Sequence, residues 1–183
     1  MENASGVVVS VGYDATHGFS KPPKSHIDLI AGMRIQGDAH FGRMVQHRSR
    51  VAIDPTQPNL RQVHLLHSEL FATLKTAGFV VTAGDLGENV TTEGIDLLSL
   101  PAGTLLTLGK HASVEVTGLR NPCSQIEDFQ KGLLGKLGFR GPDGALNRIA
   151  GIMATVKSSG RVMPCDRISV TLPPQPHRAL DRV

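Results

Sequence analysis

The sequence predicts a mainly β domain built on a closed or strongly curved sheet with about two helices, and three observations carry that reading. Short runs rich in β-branched residues recur along the chain, bounded by glycine or proline. The composition, 20 Gly and 11 Pro with aromatics at only 4%, favours turns and backbone-lined surfaces. Only two stretches carry apolar residues at helical spacing. A chain of 183 residues is long enough for one cored domain and short for two. The expected division is a single domain over residues 1–175 and a proline-containing C-terminal tail over 176–183.

In chain order, Gly6-Val7-Val8-Val9-Ser10-Val11-Gly12 is a β-branched run between glycines and reads as a buried first strand. Residues 13–26 hold Gly18, Lys21, Pro22, Pro23 and Lys24 and read as a mobile polar loop. Residues 29–36 form a candidate strand ending at the Gly37-Asp38-Ala39-His40-Phe41-Gly42 turn. The run Gln46-His47-Arg48-Ser49-Arg50 gathers cations that either settle an anion or bond loop carbonyls. His64 and His67 stand three apart with no third ligand nearby, which argues for structural imidazoles rather than zinc.

Residues 68–78 predict a helix, with Leu70, Phe71, Leu74 and Ala77 on one face and Gly78 as its stop. A strand over 79–82 should follow, and then a turn at Gly84-Asp85-Leu86-Gly87-Glu88-Asn89, whose glycines permit positive φ. Strands over 104–108 and 112–117 flank Gly109-Lys110-His111 as a hairpin. Beyond the second helix, residues 135–144 are a glycine-rich connector, residues 149–156 a strand, and residues 167–172 a last strand. The tail from Pro173 should be extended or disordered.

The hairpin delivers the chain to Thr117-Gly118-Leu119-Arg120-Asn121-Pro122-Cys123-Ser124-Gln125-Ile126-Glu127. Ser124 and Glu127 have capping-box spacing, so a helix should start just after Cys123 and run about three turns to Gly132 or Gly135. A helix start beside the thiol and Arg120 three residues upstream both favour the thiolate, the form that attacks sulfur or binds a soft metal. Pro122 stiffens the approach. Residue chemistry alone leaves two readings of Cys123 open, a working thiol or a packed small hydrophobe.

Gly118-Leu119-Arg120-Asn121-Pro122-Cys123 with Gln125-Ile126 and Phe129 resembles the signature of the MOSC family, named for the C-terminal domain of molybdenum cofactor sulfurases. Gly37-Asp38-Ala39-His40, Gln46-His47-Arg48, Gly84-Asp85-Leu86-Gly87-Glu88-Asn89-Val90-Thr91, Gly94-Ile95-Asp96 and Leu100-Pro101-Ala102-Gly103-Thr104 match in the same order, over about residues 5–172. The resemblance implies a distorted β-barrel with a few peripheral helices, in a stand-alone form without a desulfurase domain. It also implies the molybdenum cofactor as ligand or acceptor, with no pyridoxal phosphate expected on this chain. Cys123 would carry sulfur as a persulfide or ligate molybdenum, with Arg120 and Asn121 stabilising and orienting it. His40, His47, Arg48, Glu88, Asn89 and Arg148 would line the ligand face. A cysteine desulfurase would donate the sulfur, and the cofactor or a molybdoenzyme would accept it.

The formal charge of +3 suits an anionic small ligand and is too scattered to argue for nucleic acid. Two cysteines and no secretory segment indicate the cytoplasm, and no stretch is long enough to span a membrane. Cys165 stands where the family usually has glycine. It reads as an incidental thiol, with a resolving role left open if it folds close to Cys123. A metal-free thiol redox protein and a non-catalytic module for anionic ligands are the two other readings.

Overall fold

The structure, a computed structural model, describes residues 5–39 and 59–183. Strand β1 (Ser5–Gly12) opens it, followed by β2 (Pro23–Lys24), β3 (Ile27–Ile30), β4 (Arg34–Ile35) and β5 (Val63–His67). Helix α1 (Glu69–Thr76) leads to β6 (Val90–Glu93), a 3-10 turn at Leu97–Ser99, β7 (Leu105–Leu108) and β8 (Ala112–Leu119). Two short helices follow, α2 (Ser124–Phe129) and α3 (Leu134–Leu137). The chain ends through β9 (Gly138–Arg140), β10 (Leu146–Arg148), β11 (Ile152–Ser158), β12 (Gly160–Val162) and β13 (Arg167–Thr171).

Seven strands close into a barrel in the order β13-β7-β8-β11-β5-β6-β1, and pairing of β1 with β13 seals it through Ser5 with Ser169, Gly6 with Ile168 and Val7 with Arg167. The pair β5–β6 is parallel and the others in the ring are antiparallel. The expected mainly β barrel with few peripheral helices is the fold found. A bulge between Val8 and Ser10 shifts the phase of β1, so Val8 and Val11 both face the interior although they are three apart. Inside the barrel Val8, Leu65, Leu106, Val114, Ile152 and Ile168 share one core. A second core lies outside β5, where Leu66 packs with Leu70 and Leu74 of α1, Ile126, Leu133 and Leu137. Strand β5 is therefore covered on both faces, which is why Val63–His67 shows no polar alternation.

Several local expectations are corrected. Residues 29–36 are a hairpin rather than one strand, because Gly32 at φ +70 turns β3 into β4. Residues 79–82 are not a strand. Phe79 N–H caps α1 by donating to Leu74 O, and Asp85 Oδ2 takes Thr82 N–H into a turn. The helix after Cys123 is six residues long, because Gln130 is extended and Gly132 sits at φ +87. Its N-cap is Cys123, and Glu127 accepts from Gly132 N–H at 2.8 Å, so the Ser124–Glu127 capping box does not form. The glycine-rich connector holds α3 and the β9–β10 hairpin. The strand expected over 149–156 starts at Ile152, after a turn through Gly151 at φ +89. The chain from Pro173 bends at residues 174–176, where His177 Nε2 reaches back to Pro173 O, and its end docks beside β8, with Leu119 N–H donating to Asp181 O and Val183 N–H to Leu119 O.

Candidate functional site

The barrel strand β8 aims the chain at Cys123. Arg120 N–H donates to Gly151 O at 3.0 Å, and Gly151 has no room for a side chain, since a Cβ there would lie 2.2 Å from Leu65 O. Asn121 Oδ1 accepts from Arg148 Nε at 3.1 Å, tying the turn to β10. Pro122 packs on Gly138 at the start of β9. Cys123 itself is extended and half-buried, and its carbonyl accepts from Ile126 N–H at 3.0 Å. Its Sγ lies 3.7 Å from Gln125 Oε1. The thiol is thus held by backbone geometry and a proline rather than by a long helix.

Behind the thiol stands Arg120, stacked over the Phe19 ring at 5.9 Å, with Phe129 next to Phe19 at 6.2 Å. Burial pulls the Arg120 guanidinium down from its ordinary value, against the attraction of Cys123 and Glu88. Its Nη1 is buried and has no hydrogen-bond partner among the described residues. Glu88 is 1% exposed, and its Oε1 accepts from Gly84 N–H at 2.6 Å and from Thr91 Oγ1 at 3.2 Å. Its Oε2 has no hydrogen-bond partner among the described residues. Burial pushes the Glu88 carboxyl up, while those hydrogen bonds and Arg120 pull it down.

In the turn at 84–89, the N–H groups of Gly84, Asp85 and Gly87 are turned to internal acceptors. Its Gly84 N–H is spent on Glu88, and Gly84 at φ +89 is pressed against the Lys21 carbonyl. Asn89 bonds the backbone through both side-chain atoms, its Oδ1 accepting from His64 N–H and its Nδ2 donating to Gly12 O. It works as a strut between β5 and β1. His64 is buried with Nε2 donating to Ala150 O at 2.7 Å, and burial together with Arg120 holds it down at about 3.

The expected polar loop hides a charged cluster. Lys21, at 5% exposure, meets Asp38 at 3.3 Å, and Arg34 reaches the same carboxylate at 3.4 Å. Two buried cations thus share one anion, and burial lowers Lys21 although Asp38 opposes it. Lys21 and Arg34 were not legible as site residues. Lys21 sits among prolines with no periodicity, and Arg34 sits where strand alternation was expected.

Cys123, Arg120, Asn121, Arg148 and Glu88 come together around one turn, with Asn89 beside them in a structural role. His40, His47 and Arg48 lie outside the described residues. Cys165 is exposed in the turn before β13 at φ 72 and belongs to a different end of the barrel. Among the described residues no group of three or more His, Cys, Asp or Glu could hold a metal ion, and no helix is long and apolar enough to cross a membrane. The donor set is one thiol with several cations. It does not suit a bare metal ion, but it fits an anionic ligand that brings its own metal ligands, since Arg120 Nη1 is buried without a hydrogen-bond partner among the described residues.

A family model described as the MOSC domain matches residues 36–169. No curated protein matches the chain. Among solved structures, YuaD from Bacillus subtilis superposes with a TM-score of 0.76 at 23% identity, covering 94% of this chain and 99% of that one. YiiM from Escherichia coli superposes with a TM-score of 0.63 at 14% identity, covering 95% and 73%. YiiM from Geobacillus stearothermophilus gives 0.59 at 18%, covering 97% and 78%. At these identities the likeness is one of fold.

Proposed function

The chain belongs to the MOSC domain family, and from that membership and the site geometry we propose that it is a sulfur carrier working through Cys123. The carrying observation is the half-buried Cys123 thiol held in extended backbone beside a guanidinium that keeps an unused donor. The thiolate attacks the terminal sulfur of a donor persulfide, R–S–SH. The bond between the two donor sulfurs breaks, RS⁻ leaves with the electron pair, and Cys123 keeps the persulfide. A cysteine desulfurase acting in trans is the donor class this step requires. Onward transfer returns Cys123 as a thiolate, and Arg120 faces the anionic sulfur at both stages.

The acceptor in this reading is the molybdenum cofactor or another metal–sulfur acceptor, which enters the site as substrate. Arg120, Arg148 and Lys21 are the cations that would meet its anionic groups, and Asn121, held by Arg148, would orient the thiol. When bound, the cofactor supplies a soft metal for which the Cys123 thiolate is a suitable ligand. A second reading, an anionic-ligand binding module in which Cys123 only packs, is favoured by the two cations gathered on Asp38.

Intact-mass spectrometry separates the two. After incubation with a cysteine desulfurase and cysteine, the protein should gain one sulfur that peptide mapping places on Cys123, and Cys123→Ala should not gain it. Sulfur found equally on Cys165, or none on either, would sink the carrier and leave the binding module.

A further inference from the structure

Among the described residues no hydrogen bond or ion pair holds the Arg120 guanidinium, and the contact that does hold it is the Phe19 ring, whose centre lies 5.9 Å from Cζ. The same ring meets Phe129 at 6.2 Å, tilted by 48°. Arg120 stands three residues before Cys123, and Phe129 ends the helix that Cys123 caps. Phe19 therefore touches both ends of the turn that presents the thiol. Its ring comes from the loop between β1 and β2, and that loop is built to fix it. Residues 15–18 are exposed, whereas Phe19 turns inward onto the second core. Before it, Gly18 N–H donates to Asp14 Oδ2. After it, Ser20 Oγ donates to Asp85 O at 3.0 Å, Lys21 N–H to Gly84 O at 2.8 Å, and Lys21 Nζ reaches Asp38 at 3.3 Å. Gly87 leaves room for the loop, since a Cβ there would lie 2.7 Å from Phe19 O. A guanidinium is attracted to an aromatic face, more strongly where water is kept away, so a fixed ring gives direction to this charge.

We propose that Phe19 is a positioning residue of the Cys123 site: touching both Arg120 and Phe129, its ring holds the guanidinium against the thiol turn and so sets the preference of Cys123 for anionic reaction partners. Phe19 acts through Arg120 and does not itself meet the reacting atoms. Because the ring takes up no donor of the guanidinium, Nη1 stays open for the incoming group. The loop between β1 and β2 is then part of the site, with Lys21 and Asp38 as its anchor. Only the identity of Cys123 as the reacting thiol is carried over from the proposed sulfur chemistry.

The test compares alkylation of Cys123 by anionic iodoacetate and neutral iodoacetamide in a Cys165→Ser background. Both reagents attack the same thiolate, so their rate ratio cancels exposure and the thiolate fraction and reports the local charge. Phe19→Leu keeps an apolar side chain and removes the flat face, so the ratio of the anionic to the neutral rate should fall about threefold, the weight of one partly exposed cation–π contact. Phe19→Tyr retains the face and should retain the wild-type ratio. Phe71→Leu, a like loss in the same second core, should leave it unchanged. Arg120→Gln should lower the ratio, and in that background Phe19→Leu should lower it no further, since the ring acts through the guanidinium. A ratio unmoved by Phe19→Leu, lowered equally by Phe71→Leu or by Phe19→Tyr, or lowered by Phe19→Leu as much without Arg120 as with it, overturns the proposal. Should Phe19→Leu not fold, Phe19→Met removes the same face with a more adaptable side chain, and an unmoved ratio there overturns it equally. Because alkylation needs no sulfur donor, a failure here and a failure of Cys123 to load a persulfide are separate results.

Discussion

His64 shows what burial does to one titratable side chain. It is 3% exposed, donates from Nε2 to Ala150 O, and is held at about 3, below its ordinary 6.5, by burial and by Arg120. The fold therefore contains neutral imidazole, while the unfolded chain takes up a proton below 6.5. Stability from this residue is complete above pH 6.5 and is lost as pH falls from there toward about 3, at about 1.4 kcal/mol per pH unit. Glu88 works in the opposite sense, because burial raises it and the folded state protonates first on acidification. Comparing variants isolates the histidine. Urea midpoints measured from pH 6.5 to 5 should fall in the wild type, and His64→Gln should flatten that slope. Equal slopes in the two proteins would show that His64 takes up its proton in the fold.

At the scale of elements, the last residues of the chain act on the strand that carries the site. Leu119 N–H and Ala102 N–H are both satisfied by the tail, through Asp181 O and Arg178 O, and Leu180 packs against the barrel core. Gly118 is glycine for the same reason, since a Cβ there would lie 2.4 Å from Asp181 O. Removing residues 177–183 should cost about 4 kcal/mol, at roughly 1 kcal/mol for each of three lost backbone hydrogen bonds and about 1 kcal/mol for the exposed Leu180. It should also speed amide exchange at Leu119 and slow sulfur loading of Cys123. A truncated protein with the wild-type denaturation midpoint would separate the tail from the folding unit. The helices taught a different lesson. Helix α1 was legible because Leu70 and Leu74 repeat one turn apart over a common core, whereas the second helix looked longer than it is. Leu133 continues the apolar spacing of Ile126 but reaches the same core from beyond the break at Gln130.

At the scale of the molecule, alternation made strands such as β13 legible, with Ile168 and Val170 facing in and their neighbours out. Closure was less so, because the β1–β13 pairing joins Ser5 to Ser169 across most of the chain and no local signal records it. The candidate site was readable in sequence as far as Cys123 and Arg120, which stand three apart on one loop. Lys21 was not, since its partner Asp38 lies on another segment.

Barrel geometry also decides between the readings left open for the two cysteines. Cys165 lies at the end of the barrel where the β7–β8 hairpin turns, as Gly109 N–H donates to Arg167 O at 2.9 Å. Cys123 follows the opposite end of β8, which runs from Ala112 to Leu119, a rise of roughly 23 Å. A disulfide needs Cα atoms within about 7 Å. Oxidation of the wild type should therefore give no intramolecular disulfide, and non-reducing peptide maps should find Cys123 and Cys165 joined only between molecules, in a dilution-dependent yield. A bond within one chain at high dilution would mean that the barrel opens to bring its two ends together, and would restore a paired redox role for Cys165.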